Sequence, residues 1–297
     1  MPLPIPEPRA AGYTQTTRVP LYWARYGPEA ARTILVLHGG PGAHHDYMLP
    51  QLLALADRHE LLFYDQRGGG RSRTDDPTPI TFRTQVNDLR KVVEEFHLEP
   101  LTILGYSWGG LLALLYALDA ARDRTIRHPR RLVLVSPAPV SRPLRERFER
   151  ELAARQQSPA VLALRAELQA SGLRERDPDA YRQRAFELSV AGYFADPTRA
   201  RDLTPFRVTG RVQQSVWESL AHFDLVPDLD TVRCPGIVVH GRQDPIPLES
   251  SEAVAAQLGV PLVVLEDCGH VPYVEQPDGL FAAIRGFLDK TDGLLDV

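Results

Sequence analysis

The chain has 297 residues, of which 43% are hydrophobic and 24% charged. That is an ordinary globular composition, with room for one large domain or two smaller ones. A net charge of −4 excludes the basic surface that nucleic-acid binding requires, and no apolar run approaches the roughly 20 residues of a membrane span.

From Met1 to Pro8 the sequence alternates with proline and lacks a basic stretch followed by an apolar one. An extended lead-in, not a secretory signal, is expected there, and with it a cytoplasmic protein. Residues 13–26 are rich in β-branched and aromatic side chains and predict a hairpin or two edge strands. Residues 33–37 and 61–64 are short all-apolar runs, the pattern of strands buried on both faces of a parallel sheet. A helix is expected over 49–56 between them. Residues 82–98 place Val86, Leu89, Val92, Val93 and Phe96 at helical spacing. A strand over 101–105 and an all-round apolar helix over 108–121 follow, then a strand over 132–135. This alternation predicts a parallel sheet with helices on both faces.

The pattern stops near Pro137. Residues 137–225 carry amphipathic helical stretches rich in Arg and Glu, punctuated by prolines, with no apolar strand. Strands are expected again over 236–240 and 262–265, and helices over 248–258 and 277–289. The chain therefore divides into a sheet-forming part (1–136), a helical insertion over the sheet's edge (137–228) and a second sheet-forming part (229–297). Cys234 and Cys268 are too few for a disulfide framework and lack zinc-ligand spacing. They are read as free thiols, with a single bridge between them as the alternative.

One stretch carries chemistry. Gly105-Tyr106-Ser107-Trp108-Gly109 joins the 101–105 strand to the following helix. A serine there sits on a tight strand-to-helix turn with its hydroxyl exposed above the sheet. A serine hydroxyl attacks only when a base takes its proton and an acid holds that base. Asp244 and His270 follow two later strands, so Ser107, Asp244 and His270 stand at three strand ends in the chain order expected for such partners in this kind of sheet. The developing oxyanion needs two N–H donors. The backbone of Trp108 is one; Gly40, with Gly39 as alternative, is the other, in the turn His38-Gly39-Gly40-Pro41-Gly42. No metal or organic cofactor is required. An aspartate at the elbow would have indicated a dehalogenase or epoxide hydrolase; Ser107 argues against both. A non-catalytic binding protein on the same fold would be expected to have lost one of the three groups.

Three motifs, His38 to Gly42, Asp65-Gln66-Arg67-Gly68-Gly69-Gly70-Arg71-Ser72 and Gly105 to Gly110, resemble the proline iminopeptidase family of α/β-hydrolases. The resemblance covers about 15–136 and 229–290. It implies an α/β-hydrolase fold with an inserted helical cap and a serine hydrolase that removes N-terminal proline or another apolar residue from small peptides. It also implies that Ser107, Asp244 and His270 form the triad and that the glycine turn shapes the oxyanion hole. Gly39, Tyr193, Phe194 and Glu218 are expected against the substrate.

The helical insertion departs from that family. Val190-Ala191-Gly192-Tyr193-Phe194 has valine where a glutamate that holds the substrate's amine is expected, and Pro245 follows Asp244 where some members are acidic. Glu187, Glu218 and Glu149 are the possible replacements. A carboxylesterase or amidase of broader specificity is therefore the alternative to the aminopeptidase.

Overall fold

A computed structural model describes residues 4–29 and 32–293. Residues 1–3 of the expected lead-in and 294–297 of the second sheet-forming part lie outside the described residues. The strands are β1 (Ala10–Tyr13), β2 (Tyr22–Tyr26), β3 (Thr33–Leu37), β4 (Glu60–Tyr64), β5 (Thr102–Tyr106), β6 (Arg131–Val135), β7 (Gly236–Gly241) and β8 (Leu262–Leu265). They form one sheet in the order β1-β2-β4-β3-β5-β6-β7-β8. β1 and β2 run antiparallel at one edge, and every pairing from β4 to β8 is parallel.

Successive side chains of a strand point to opposite faces, so the all-apolar runs feed two cores. Leu35, Leu37, Leu62 and Ile103 face one core, and Ile34, Val36, Leu61 and Leu104 face the other. The first core is closed by α1 (Phe82–Glu95) and α2 (Trp108–Arg122). α1 buries Val86, Leu89, Val92 and Val93 on one side, and Thr81 caps it by accepting from the Thr84 N–H at 3.2 Å.

Between β6 and β7 the chain forms α3 (Arg142–Gln156), α4 (Pro159–Ala170), α5 (Leu173–Arg176), α6 (Pro178–Val190) and α7 (Gly210–Ser219), with no strand among the described residues. It leaves and returns side by side: the Arg142 N–H donates to Phe223 O at 2.9 Å, and the Leu225 N–H donates to Val140 O at 2.9 Å. α8 (Leu248–Leu258), α9 (Pro272–Glu275) and α10 (Pro277–Asp292) complete the fold. α8 packs on the first core, and α10 covers the second through Leu280, Phe281, Ile284 and Leu288. No helix among the described residues is long and apolar enough to cross a membrane.

Three expectations shift. Residues 49–56 form no α-helix; 3-10 turns span His45–Met48 and Gln51–Leu55, and Pro50, which cannot donate a backbone hydrogen bond, separates them. The first edge strand lies at Ala10–Tyr13, earlier than the aromatic-rich stretch suggested. α1 ends at Glu95, and His97 just beyond it takes the left-handed conformation (φ 49°).

The order of β4, β3 and β5 also places the site. The chain runs from β3 outward to β4 and then crosses back to the other side of β3. Crevices at such reversals, beyond the carboxyl ends of the strands, are where open α/β sheets bind ligands. His38–Gly42 and Ser107 leave from those two strand ends.

Candidate active site

Ser107 caps α2 with φ 54° and ψ −119°. Such a conformation is costly for a residue with a Cβ and persists only when its surroundings enforce it. Here the turn is clamped by close backbone approach. A Cβ on Gly105 would sit 2.5 Å from Gly109 O, and one on Gly109 would sit 2.1 Å from Leu37 O, so neither position admits a side chain. The Ser107 carbonyl accepts from the Gly110 and Ala138 N–H groups, each at 2.9 Å.

The hydroxyl so presented lies 2.9 Å from His270 Nε2, and His270 Nδ1 lies 2.8 Å from Asp244 Oδ2. A carboxylate only accepts, so Nδ1 carries the proton and Nε2 is free to accept from the serine hydroxyl. Asp244 Oδ1 accepts from the Ile246 N–H at 2.8 Å. Burial pushes the Asp244 carboxyl up, but the neighbouring His270 and His240 and these hydrogen bonds bring it below the usual carboxylate range, so it stays charged. Sequence positions 107, 244 and 270 are thus brought into one hydrogen-bonded chain.

The glycine turn lies beside it. The Gly39 N–H donates to Tyr47 Oη at 2.7 Å and is spent. The N–H groups of Gly40 and Trp108 have no partner among the described residues, and both residues line the cleft over Ser107. His38 supports the turn from beneath. Its Nδ1 donates to Gly39 O at 2.8 Å, and its Nε2 accepts from the Gln66 N–H at 3.0 Å. Full burial pushes His38 down to about 4, so it is neutral at ordinary pH. The Gln66 side chain donates to His38 O at 2.8 Å and accepts from Trp108 Nε1 at 2.8 Å, joining all three sequence motifs.

The His270 loop is held from both sides. Tyr106 Oη donates to His270 O at 2.9 Å, and the His270 N–H donates to Tyr193 O at 2.7 Å. The Glu275 carboxylate accepts from the N–H groups of Gly269 at 2.7 Å and Ala195 at 2.8 Å. Sequence reasoning missed Tyr47, Gln66 and Glu275. Gln66 sits inside one of the conspicuous motifs, which was a signal; Tyr47 and Glu275 act across chain crossings and gave none.

A cleft of about 300 Å³ opens above Ser107. Its walls include Phe148, Phe186, Val190, Tyr193, Phe206 and Trp217, and no Asp, Glu, Lys or Arg among the described residues lines it. Tyr193 stands on the wall with its ring 5.3 Å from the imidazole. The other expected substrate contacts do not reach the cleft. Phe194 turns into the core beneath the sheet, Gly39 is covered by Tyr47, and Glu218 is exposed and accepts from Gln214 at 2.7 Å. Glu149 pairs with Arg145 at 2.7 Å, and the buried Glu187 pairs with Arg184, so neither supplies the missing carboxylate. Val190, the position where a glutamate was expected, is on the cleft wall.

Residues 34–284 match the model of the alpha/beta hydrolase family. The chain belongs to that family. A proline iminopeptidase of Lactobacillus crispatus (strain ST1) is 26% identical over 288 residues, covering 91% of this chain and 95% of that protein. Among solved structures, the proline iminopeptidase of Mycobacterium smegmatis superposes with a TM-score of 0.67 at 22% identity, covering 95% of this chain and 99% of that one. A proline iminopeptidase-related protein of Thermus thermophilus gives 0.71 at 23% identity, covering 94% and 97%. The chain is a hydrolase of this superfamily with proline iminopeptidases among its relatives.

Proposed function

We propose that the protein is a serine hydrolase that cleaves esters or amides whose acyl group is uncharged beside the scissile carbonyl. Ser107 Oγ attacks the carbonyl carbon while His270 Nε2 takes its proton, and Asp244 stabilises the resulting imidazolium. The oxyanion forms against the N–H groups of Gly40 and Trp108. As the carbon–leaving-group bond breaks, His270 returns the proton to the departing alcohol or amine and an acyl-enzyme remains. Water, deprotonated by the same imidazole, then releases the acid and restores Ser107. In this reading 137–228 is the cap and 1–136 with 229–297 the catalytic body.

The observation that carries the substrate choice is the cleft wall without a carboxylate. A free N-terminal amine is an ammonium, and burying it unpaired among aromatic side chains costs several kcal/mol. The relatives' name supports a second reading, a prolyl aminopeptidase. Three substrates separate them: proline p-nitroanilide, its N-acetylated form and p-nitrophenyl acetate. The first reading expects acetylation to leave kcat/KM unchanged or raised, and the acetate ester to be cleaved. Loss of cleavage on acetylation would return the protein to the aminopeptidases. Failure of a fluorophosphonate probe to label Ser107 would end both readings.

A further inference from the structure

Beside the acyl cleft lies a second, wider cleft of about 790 Å³. The two adjoin at Phe186, Phe206 and Val208, which line both, and Ser107 lies in the first. Their chemistry differs sharply. The first has no charged lining residue; the second is lined by four arginines, Arg71, Arg73, Arg182 and Arg207, against two aspartates, Asp46 and Asp179.

Both aspartates are already neutralised. Arg71 holds Asp46 through two nitrogens, at 3.0 and 2.7 Å, and Arg182 pairs with Asp179. His44 also lines this cleft, and burial pushes its imidazole down. Arg73 and Arg207 are exposed, and among the described residues neither makes an ion pair or a side-chain hydrogen bond. They do not simply hang from the surface. Arg207 follows Phe206, whose ring packs 4.4 Å from Tyr47, and precedes Thr209, whose N–H donates to Gly42 O at 2.9 Å. It is thus mounted on a segment fastened to the glycine turn. Arg73 follows Ser72, whose hydroxyl donates to Asp65 O at 2.6 Å.

We infer that Arg73 and Arg207 bind a carboxylate at the far end of the substrate, so that this protein selects molecules with an apolar, uncharged acyl centre and a remote anionic group. A guanidinium binds a carboxylate through paired N–H donors, and two unpaired guanidiniums line this one cleft next to the apolar one. The inference rests on the proposed acyl cleft for its placement, and the test keeps the two apart.

The probes are aryl alkyl ethers, which cannot be hydrolysed, ending in a carboxylate on spacers of one to six methylenes. Each is matched by its primary amide. Binding is measured to the whole protein at low salt. The carboxylate should bind about five- to tenfold tighter than its amide at one preferred spacer length, with the ratio falling toward one in high salt. In the Arg73→Gln, Arg207→Gln double variant the ratio should be close to one at every length. Equal binding of carboxylate and amide at all lengths, or an unchanged ratio in the double variant, overturns the inference. The corresponding esters, carrying the carboxylate on either the acyl or the leaving-group side, then show by their kcat/KM ratios which half of the substrate enters the second cleft. If no ester is cleaved while the ether carboxylates keep their preference, the proposed chemistry fails and the anion site stands.

Discussion

Beneath the cleft, the loops that follow β3, β4, β5 and β8 bind one another through buried hydrogen bonds; above it, α3 to α7 turn most of their charges to solvent, the buried Glu187 apart. Gln66 joins the His38 turn to Trp108 at distances of 2.8 to 3.0 Å. α3, by contrast, has no buried residue, and its Arg142–Glu146, Arg145–Glu149 and Arg155–Glu151 pairs lie one helical turn apart on its surface. A buried polar group that loses its partner is costly, so the lower region tolerates little change. The upper region meets the cleft mainly through apolar side chains that can be exchanged one at a time. The difference separates what reacts from what is selected.

Substitutions should respect that division, and the largest effects belong to the lower region. Ser107→Ala should lower kcat/KM by about 10³-fold or more with the melting temperature unchanged. Activity within tenfold of the parent would contradict the proposed chemistry. Asp244→Asn should cost about 10³- to 10⁴-fold by mis-setting the imidazole tautomer, which a pre-steady-state burst assay can read. The Asp244 carboxyl is held below the usual carboxylate range, so its own protonation should not limit kcat/KM where ordinary carboxylates titrate. An acid limb in the parent's pH profile that Asp244→Asn abolishes would contradict that.

A smaller effect, on stability alone, is expected at Arg67. It donates to Asp88 at 2.7 and 2.5 Å with both side chains nearly inaccessible. Burial pushes the Asp88 carboxyl up despite this pairing. Arg67→Met leaves Asp88 buried without its cation and should cost about 3–5 kcal/mol in denaturant unfolding. In the upper region Val190→Glu puts a carboxylate on the cleft wall. It should raise the preference for proline p-nitroanilide over its acetylated form about tenfold, and an unchanged preference would break the claim that the wall selects. Smallest of all, Glu149→Ala should shift unfolding by no more than about 0.5 kcal/mol, because an exposed ion pair is worth little.

The same division decided what could be read from sequence. Strands β3 to β7 were legible because burial on both faces leaves mostly apolar residues, as in the run Ile34 to Leu37, with polar groups such as Glu60 and Arg131 at strand ends. The 3-10 turns around Pro50 were not, since a local apolar run does not say whether its hydrogen bonds close at three or four residues. Ser107, Asp244 and His270 stood out because each follows a strand. Tyr47 and Glu275 did not, because their work is to accept from backbone on other segments. Val190 was legible as a departure, but which helical side chains face the cleft depends on how α3 to α7 pack. The weakly polarised faces of α3, α4 and α6 do not encode that, although α7 has a clear apolar side.

The Tyr193 carbonyl accepts from the His270 backbone, and Glu275 grips both Gly269 and Ala195. The roof of the cleft is therefore riveted to the very loop that carries the imidazole. Any shift of the Tyr193–Ala195 segment that leaves those bonds intact carries the His270 loop with it, so the width of the cleft and the position of the imidazole change together.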